Sequence, residues 1–199
     1  MMVPKARPRN PVVLLHGLDD TSRLFDRLGP FLEKRGWKVY DLDLIPSNGD
    51  AGLDMLGEQV ATYVDKTFCR QEPLDLVGFS MGGLVARYYL QRLAGLRRVQ
   101  RLITISSPHQ GTWTAFLRAN AGARQMRPAS KFLRELNSDR HILKKIRFTS
   151  IWSPLDLMIV PASSSCVREA HSIRVNVVAH ALMMRDARVL QLVKKALVA

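Results

Sequence analysis

Leu74-Asp75-Leu76-Val77-Gly78-Phe79-Ser80-Met81-Gly82-Gly83 opens on a leucine- and valine-rich run and closes on a glycine pair. The run reads as a buried strand. Leu84, Val85, Tyr88 and Tyr89 then recur at helical spacing, so the serine stands at a strand-to-helix turn. A Gly-x-Ser-x-Gly pattern alone is a weak signal, and this context is what makes it specific. The glycines two before and two after Ser80 have a physical reason: the turn is so tight that a Cβ at either would crowd the strained serine. Gly83 adds clearance for helix packing. The turn lifts the hydroxyl above the sheet edge at the positive end of a helix.

Outward from this turn the chain alternates strands with helices. Strands are expected at Val12–Leu15, Trp37–Leu44, Pro73–Phe79, Val99–Ile105, Phe148–Trp152 and Ile173–Val178. Helices are expected over Leu24–Leu32 (bent at Pro30 and ended by Gly36), Leu53–Phe68, Met81–Leu93 and Asp186–Val198. The stretch 111–145 is irregular with short helices, one of them Lys131–Asn137. No repeat, low-complexity segment or linker interrupts the pattern. Such alternation predicts an α/β fold, a mostly parallel sheet of about six strands with helices on both faces. A length of 199 residues fits one domain, 1–199.

Apolar content of 47% excludes a disordered chain, and no apolar run approaches the ~18 residues of a spanning helix. Cys69 and Cys166 are the only cysteines, so two free thiols are expected rather than a disulfide framework. The basic stretch Met1–Asn10 is followed by too short an apolar segment for a secretion signal, which makes the cytoplasm the expected compartment. The charge is unusual at +13, from 30 Lys and Arg against 17 Asp and Glu. Residues 1–75 carry 10 basic and 12 acidic side chains, whereas residues 76–199 carry 20 and 5. Between Asp75 and Glu135 there are ten basic residues, nine of them Arg, and no acid. Such a surface attracts an anion.

A nucleophilic serine needs a base, and the base needs an orienting carboxylate. Of the acids after Ser80, Asp156 lies just past a strand, in Ser153-Pro154-Leu155-Asp156-Leu157. Glu135 and Asp139 sit in helical or capping contexts, and Asp186 reads as a helix N-terminal residue. His180 follows the last expected strand by two residues, whereas His141 lies among Arg and Lys and His171 stands at the wrong end of that strand. His109 is near the turn and shapes a loop. Two backbone donors are needed for a developing oxyanion: the Met81 N–H after the serine and the Leu18 N–H in His16-Gly17-Leu18. His16 is expected to make a turn-stabilising hydrogen bond. The histidines and acids show no metal-ligand spacing, and no cofactor is implied.

Four segments together resemble the α/β-hydrolase superfamily and, within it, the small bacterial lipases. They are Val12–Leu18, Val77–Gly83, Ile105–Thr112 and Thr149–Pro161, in that order over nearly the whole chain. The last two are the more specific to lipases and acyl-thioesterases. The resemblance implies a minimal α/β-hydrolase fold without a large cap domain, a Ser80–Asp156–His180 triad, and Leu18 and Met81 as the oxyanion donors. The implied activity is cleavage of acyl esters of glycerolipids through an acyl-enzyme on Ser80. Phe79 departs from the family pattern, which often has His before the nucleophile, and is expected not to touch the chemistry.

Between Ser106 and Ile146 the chain is too short for a folded cap, so a lid-like region at roughly 111–145 is expected, with Trp113, Phe116 and Leu117 over the pocket. An acyl-lipid substrate and peripheral contact with an anionic membrane follow as expected partners. The nearest alternative is an acyl-protein or small-molecule thioesterase; a different class would be a non-catalytic basic lipid-binding module. A nucleic-acid partner is not expected, because no recognition motif accompanies the charge.

Overall fold

The structure is a computed structural model and describes residues 9–199. The basic Met1–Asn10 stretch and the start of the expected 1–199 domain therefore lie largely outside the described residues. Six strands form one sheet: β1 (Val12–Leu15), β2 (Val39–Leu42), β3 (Leu74–Phe79), β4 (Val99–Ile105), β5 (Arg147–Trp152) and β6 (His171–Arg174). Their order is β2-β1-β3-β4-β5-β6, and every pairing is parallel.

Burial on both sides explains why β1, β3 and the second half of β4 read as near-continuous apolar runs, whereas the edge strands β2 and β6 are more exposed and more polar. The side chains of β1, β3 and β4 nevertheless divide with period two. Val13, Leu15, Leu76 and Leu102 join a core with Leu56, Val60 and Val64 of α2 (Leu53–Thr67) and Leu84 and Val85 of α3 (Met81–Arg92). Val12, Leu14, Val77 and Ile103 face the other way. They pack on Leu28 and Leu32 of α1 (Leu28–Glu33) and on Val189 and Val193 of α6 (Ala187–Val198). Each such fully buried Val or Leu contributes roughly 1.5–3 kcal/mol. The region 111–145 holds a 3-10 turn at Trp113–Leu117, α4 (Ala121–Met126), α5 (Lys131–Ser138) and a second 3-10 turn at Arg140–Lys145.

Two elements depart from the sequence expectation. The helix expected over Leu24–Leu32 is split into a 3-10 turn at Ser22–Phe25 and α1. Pro30 is the third residue of α1, where its missing N–H costs nothing, so it helps start the helix instead of bending it. The last strand is His171–Arg174, not Ile173–Val178, and His171 opens it. The β5–β6 ladder ends at Trp152 and Arg174, and one further bond runs from the Val175 N–H to the Trp152 carbonyl. Beyond it the Ser153 hydroxyl takes over: it donates to the Val177 carbonyl at 2.7 Å and accepts from the Val177 N–H at 3.2 Å. The alternating Val175 and Val177 are buried through packing, without strand pairing.

Parallel strands place all their carboxyl ends on one edge. There β1 is bounded by β2 on one side and β3 on the other, the crevice where open α/β sheets bind ligands. Among the described residues no helix is long and apolar enough to cross a membrane.

Candidate active site

Ser80 joins β3 to α3 with φ 52° and ψ −120°, a conformation L residues rarely adopt. Crowding fixes the glycines around it. A Cβ on Gly78 would lie 2.6 Å from the Gly83 backbone, and one on Gly82 would run into the Leu15 and His16 carbonyls. One on Gly83 would strike the Ser107 side chain. The loop after β1 comes equally close, since a Cβ on Gly17 would sit 3.1 Å from that of Ser80. Leu18 is thereby held beside the serine, and its N–H has no acceptor among the described residues. Met81 opens α3, so its N–H has no intrahelical acceptor either.

His16 is buried and ties this loop down. The Leu44 N–H donates to its Nε2 at 2.8 Å, which leaves the proton on Nδ1 to reach the Gly17 carbonyl at 2.9 Å. It therefore has the turn-stabilising role expected of it.

Asp156 and His180 meet at the same edge, with the His180 Nδ1–H donating to Asp156 Oδ2 at 2.7 Å. Asp156 Oδ1 accepts from the Met158 and Ile159 N–H groups at 3.0 and 3.1 Å. Burial pushes the Asp156 carboxyl upward, but the hydrogen bond and charge of His180 outweigh it. The Ser106 hydroxyl and the Ile159 N–H help, and the carboxyl titrates below its ordinary range. The buried Ser106 hydroxyl makes no hydrogen bond of ordinary geometry. Phe79, expected to stand clear of the chemistry, packs on the His180 ring with centroids 4.6 Å apart. Ser80 and His180 border one cavity without a hydrogen bond between them; such bonds often tighten only around substrate.

That cavity measures about 420 Å³. Leu18, Ala115, Leu117, Met126, Met158 and Ile159 make its apolar wall, with Asp19, Asp20 and Arg118 at its polar end. Burial pushes the Asp20 carboxyl upward against the attraction of His16 and His180. Of the three pocket or lid residues expected from sequence, Leu117 lines the cavity. Trp113 and Phe116 stack on each other at 5.4 Å outside it, 59% and 50% exposed. Sequence reasoning missed the Met158–Ile159 wall, although the apolar run beside Asp156 was its signal.

The 111–127 segment is fastened at both ends. Arg118 pairs with Asp19, and the Gly122 N–H reaches the Gly49 carbonyl at 2.7 Å. Thr112 accepts from the Val160 N–H at 2.8 Å, which ties the segment to the loop that holds Asp156.

Behind the site Arg87 is fully buried. It donates to the Leu136 carbonyl at 2.8 Å and to Asn137 at 3.0 Å, and it lies 3.5 Å from His109. Burial pushes the Arg87 pKa down to about 10. Burial, reinforced by Arg87, holds His109 neutral, and its Nε2 bonds Thr104 at 3.0 Å. His109 thus shapes the 106–112 loop, as expected. Arg87→Leu is expected to cost about 2–4 kcal/mol in urea unfolding, because it strands several buried acceptors. A loss under 1 kcal/mol would show that the network is dispensable.

The charge excess does not gather at the cavity. Arg118, Arg124 and Arg127 flank it, Arg87 is internal, and Arg97, Arg98 and Arg101 lie at the opposite edge of the sheet.

Residues 11–124 match the family model of palmitoyl protein thioesterase, a span that includes Ser80, Leu18 and Met81 but ends before Asp156 and His180. A triacylglycerol lipase of Pseudarthrobacter phenanthrenivorans is 32% identical over 115 residues, covering 54% of this chain and 35% of that protein. A lysosomal thioesterase of Xenopus laevis is 30% identical over 110 residues, covering 52% and 37%. The chain thus spans about a third of the length of these curated relatives. Among solved structures, the mature form of a Bacillus licheniformis lipase superposes with TM-score 0.82 at 15% identity, over 96% of this chain and 93% of that one. Aspergillus fumigatus lipase B gives 0.77 at 18% identity, over 96% and 53%. The fold is that of the α/β-hydrolases, and the chain belongs to the palmitoyl protein thioesterase family.

Proposed function

We propose that the protein is a serine hydrolase that cleaves acyl esters of glycerolipids, with Ser80 as nucleophile. The observation that carries this reading is the 2.7 Å Asp156–His180 bond beside a serine held at φ 52° over one apolar cavity. Asp156 holds the proton on His180 Nδ1, which leaves Nε2 to take the Ser80 proton as Oγ attacks the carbonyl carbon. The Met81 and Leu18 N–H groups face the oxyanion, each worth roughly 10²–10³ in turnover. The protonated imidazole then gives its proton to the leaving alkoxide. Water, deprotonated by the same nitrogen, frees the acid. The same steps run on a thioester, and the family match supports acyl-thioester cleavage as the second reading.

Substrate delivery follows from the rim. Trp113, Phe116, Leu117, Leu155, Leu157, Val178 and Leu182 are exposed on the loops of the carboxyl edge, an apolar collar bordered by Arg118, Arg124 and Arg127. Such a patch fits peripheral contact with an anionic bilayer.

p-Nitrophenyl octanoate and longer esters are expected to turn over faster than the acetate, and anionic vesicles to bind more tightly than neutral ones at low salt. A preference for acetate would make the protein a short-chain esterase, and equal vesicle binding would remove the membrane. Faster cleavage of a palmitoyl thioester than of the matched oxygen ester would favour the second reading.

A further inference from the structure

A groove of about 1060 Å³ runs along the amino-terminal edge of the sheet, at the far end of the strands from the cavity. Seven cations line it: Arg9 ahead of β1, Arg97, Arg98 and Arg101 at the start of β4, and Lys144, Lys145 and Arg147 leading into β5. Among the described residues no Asp or Glu is in its wall. Part of this charge is already met: Asp65 lies on Arg98 at 3.2 Å, Asp75 on Arg101 at 3.4 Å, and the Ala199 main-chain oxygen accepts from Arg101 at 3.2 Å and from Arg147. Among the described residues, the exposed Arg97, Lys144 and Lys145 have no carboxylate partner. Two of the seven are fixed in the wall, since Arg98 and Arg101 are only 10% and 14% exposed, while the other five are exposed around them.

Like charges gathered around one hollow repel one another, and a polyanion relieves that repulsion. Two features choose among polyanions. A bilayer is flat on this scale and touches only the rim of a groove, and the apolar collar lies at the other edge. Among the described residues no Phe, Tyr or Trp lines the groove, so unpaired bases would have no stacking platform. Five of the seven cations are Arg, whose planar forks suit the oxyanions of carboxylate and phosphate alike. We propose that this groove docks an acidic segment of a partner protein, an extended stretch rich in Asp and Glu, while the catalytic edge stays free.

The test is a fluorescence anisotropy titration of a labelled ten-residue Asp/Glu peptide at low salt. It compares the native chain with two triple variants of equal net charge. One is Arg97→Glu, Lys144→Glu, Lys145→Glu in the groove; the other is Lys34→Glu, Lys66→Glu, Arg168→Glu, all exposed and outside it. The groove variant should bind at least about tenfold more weakly and the control within about threefold of native. Both should keep native ester turnover and native unfolding midpoints, because exposed substitutions seldom disturb folding. Equal losses in the two variants would reduce the effect to net charge and overturn the proposal. So would an oligonucleotide of matched charge, or anionic vesicles, binding more tightly than the peptide and losing that binding only in the groove variant.

Discussion

Ser80→Ala is expected to lower p-nitrophenyl ester turnover on the order of 10⁶-fold. No other hydroxyl can replace it. Thr112 and Thr114 line the same cavity, but both bond the Met158 carbonyl, and neither follows a helix-opening turn. The fold should survive, because alanine takes the strained φ of 52° no worse than serine and the flanking glycines keep their clearances. A residual ~10³–10⁴ acceleration over water is expected from the Leu18 and Met81 N–H groups and from the cavity. The measurement is a burst and steady-state assay on both proteins, with unfolding midpoints to show equal stability. Turnover within tenfold of native in the variant would sink the covalent mechanism.

Asp156→Asn should cost about 10⁴-fold in turnover. The carboxylate now accepts from three donors, His180 Nδ1–H on one oxygen and two backbone N–H groups on the other. An amide cannot satisfy all three. With its oxygen toward the Met158 and Ile159 N–H groups, its NH2 faces His180 and forces the Nδ1 proton to Nε2, where it blocks proton uptake from Ser80. Turned over, it sets NH2 against two N–H groups.

The substitution also has a signature in stability. The folded-state value of Asp156 is depressed. Its stabilising contribution is therefore complete above the unfolded carboxyl range near pH 4 and is lost as pH falls through the folded value. Urea midpoints of the native chain should fall more steeply below about pH 4 than those of the variant. Parallel slopes would mean that the carboxylate is not held ionised by the fold.

Much of this site could be read along the chain because its parts are short and local. A glycine spaced two residues from a serine on either side is a steric requirement of one turn, and the strand before it and the helix after it are visible as apolar period. Asp156 and His180 stand out for a different reason: each lies just past an expected strand, unlike the other acids and histidines after Ser80. Sequence reading failed where long-range pairing decides. Val175 and Val177 look like a strand, yet the Ser153 hydroxyl occupies the main-chain partners that a continued ladder would have used. The acid-free stretch after Asp75 is continuous in sequence and divided in space, since consecutive elements of a parallel sheet run repeatedly from one edge to the other. A linear charge count has no means of telling those edges apart.

The fork that Ser153 makes between β5 and the His180 segment bears on which parts of the site move. β1 and β3 are paired on both sides and covered on both faces, so their amides should exchange with solvent only when the whole sheet opens. Ser80 and the loop carrying Leu18 hang directly from those strands. His180 instead follows an edge strand of four residues and five residues held to β5 only by the Val175 N–H and the Ser153 hydroxyl. In amide exchange Ser80, Leu18 and Met81 should thus belong to the slowest unit of the molecule and His180 to a faster one. Fluctuation between competent and incompetent arrangements is then a property of the histidine arm alone, with the Phe79 ring and the Asp156 carboxylate as the two surfaces that bring it back.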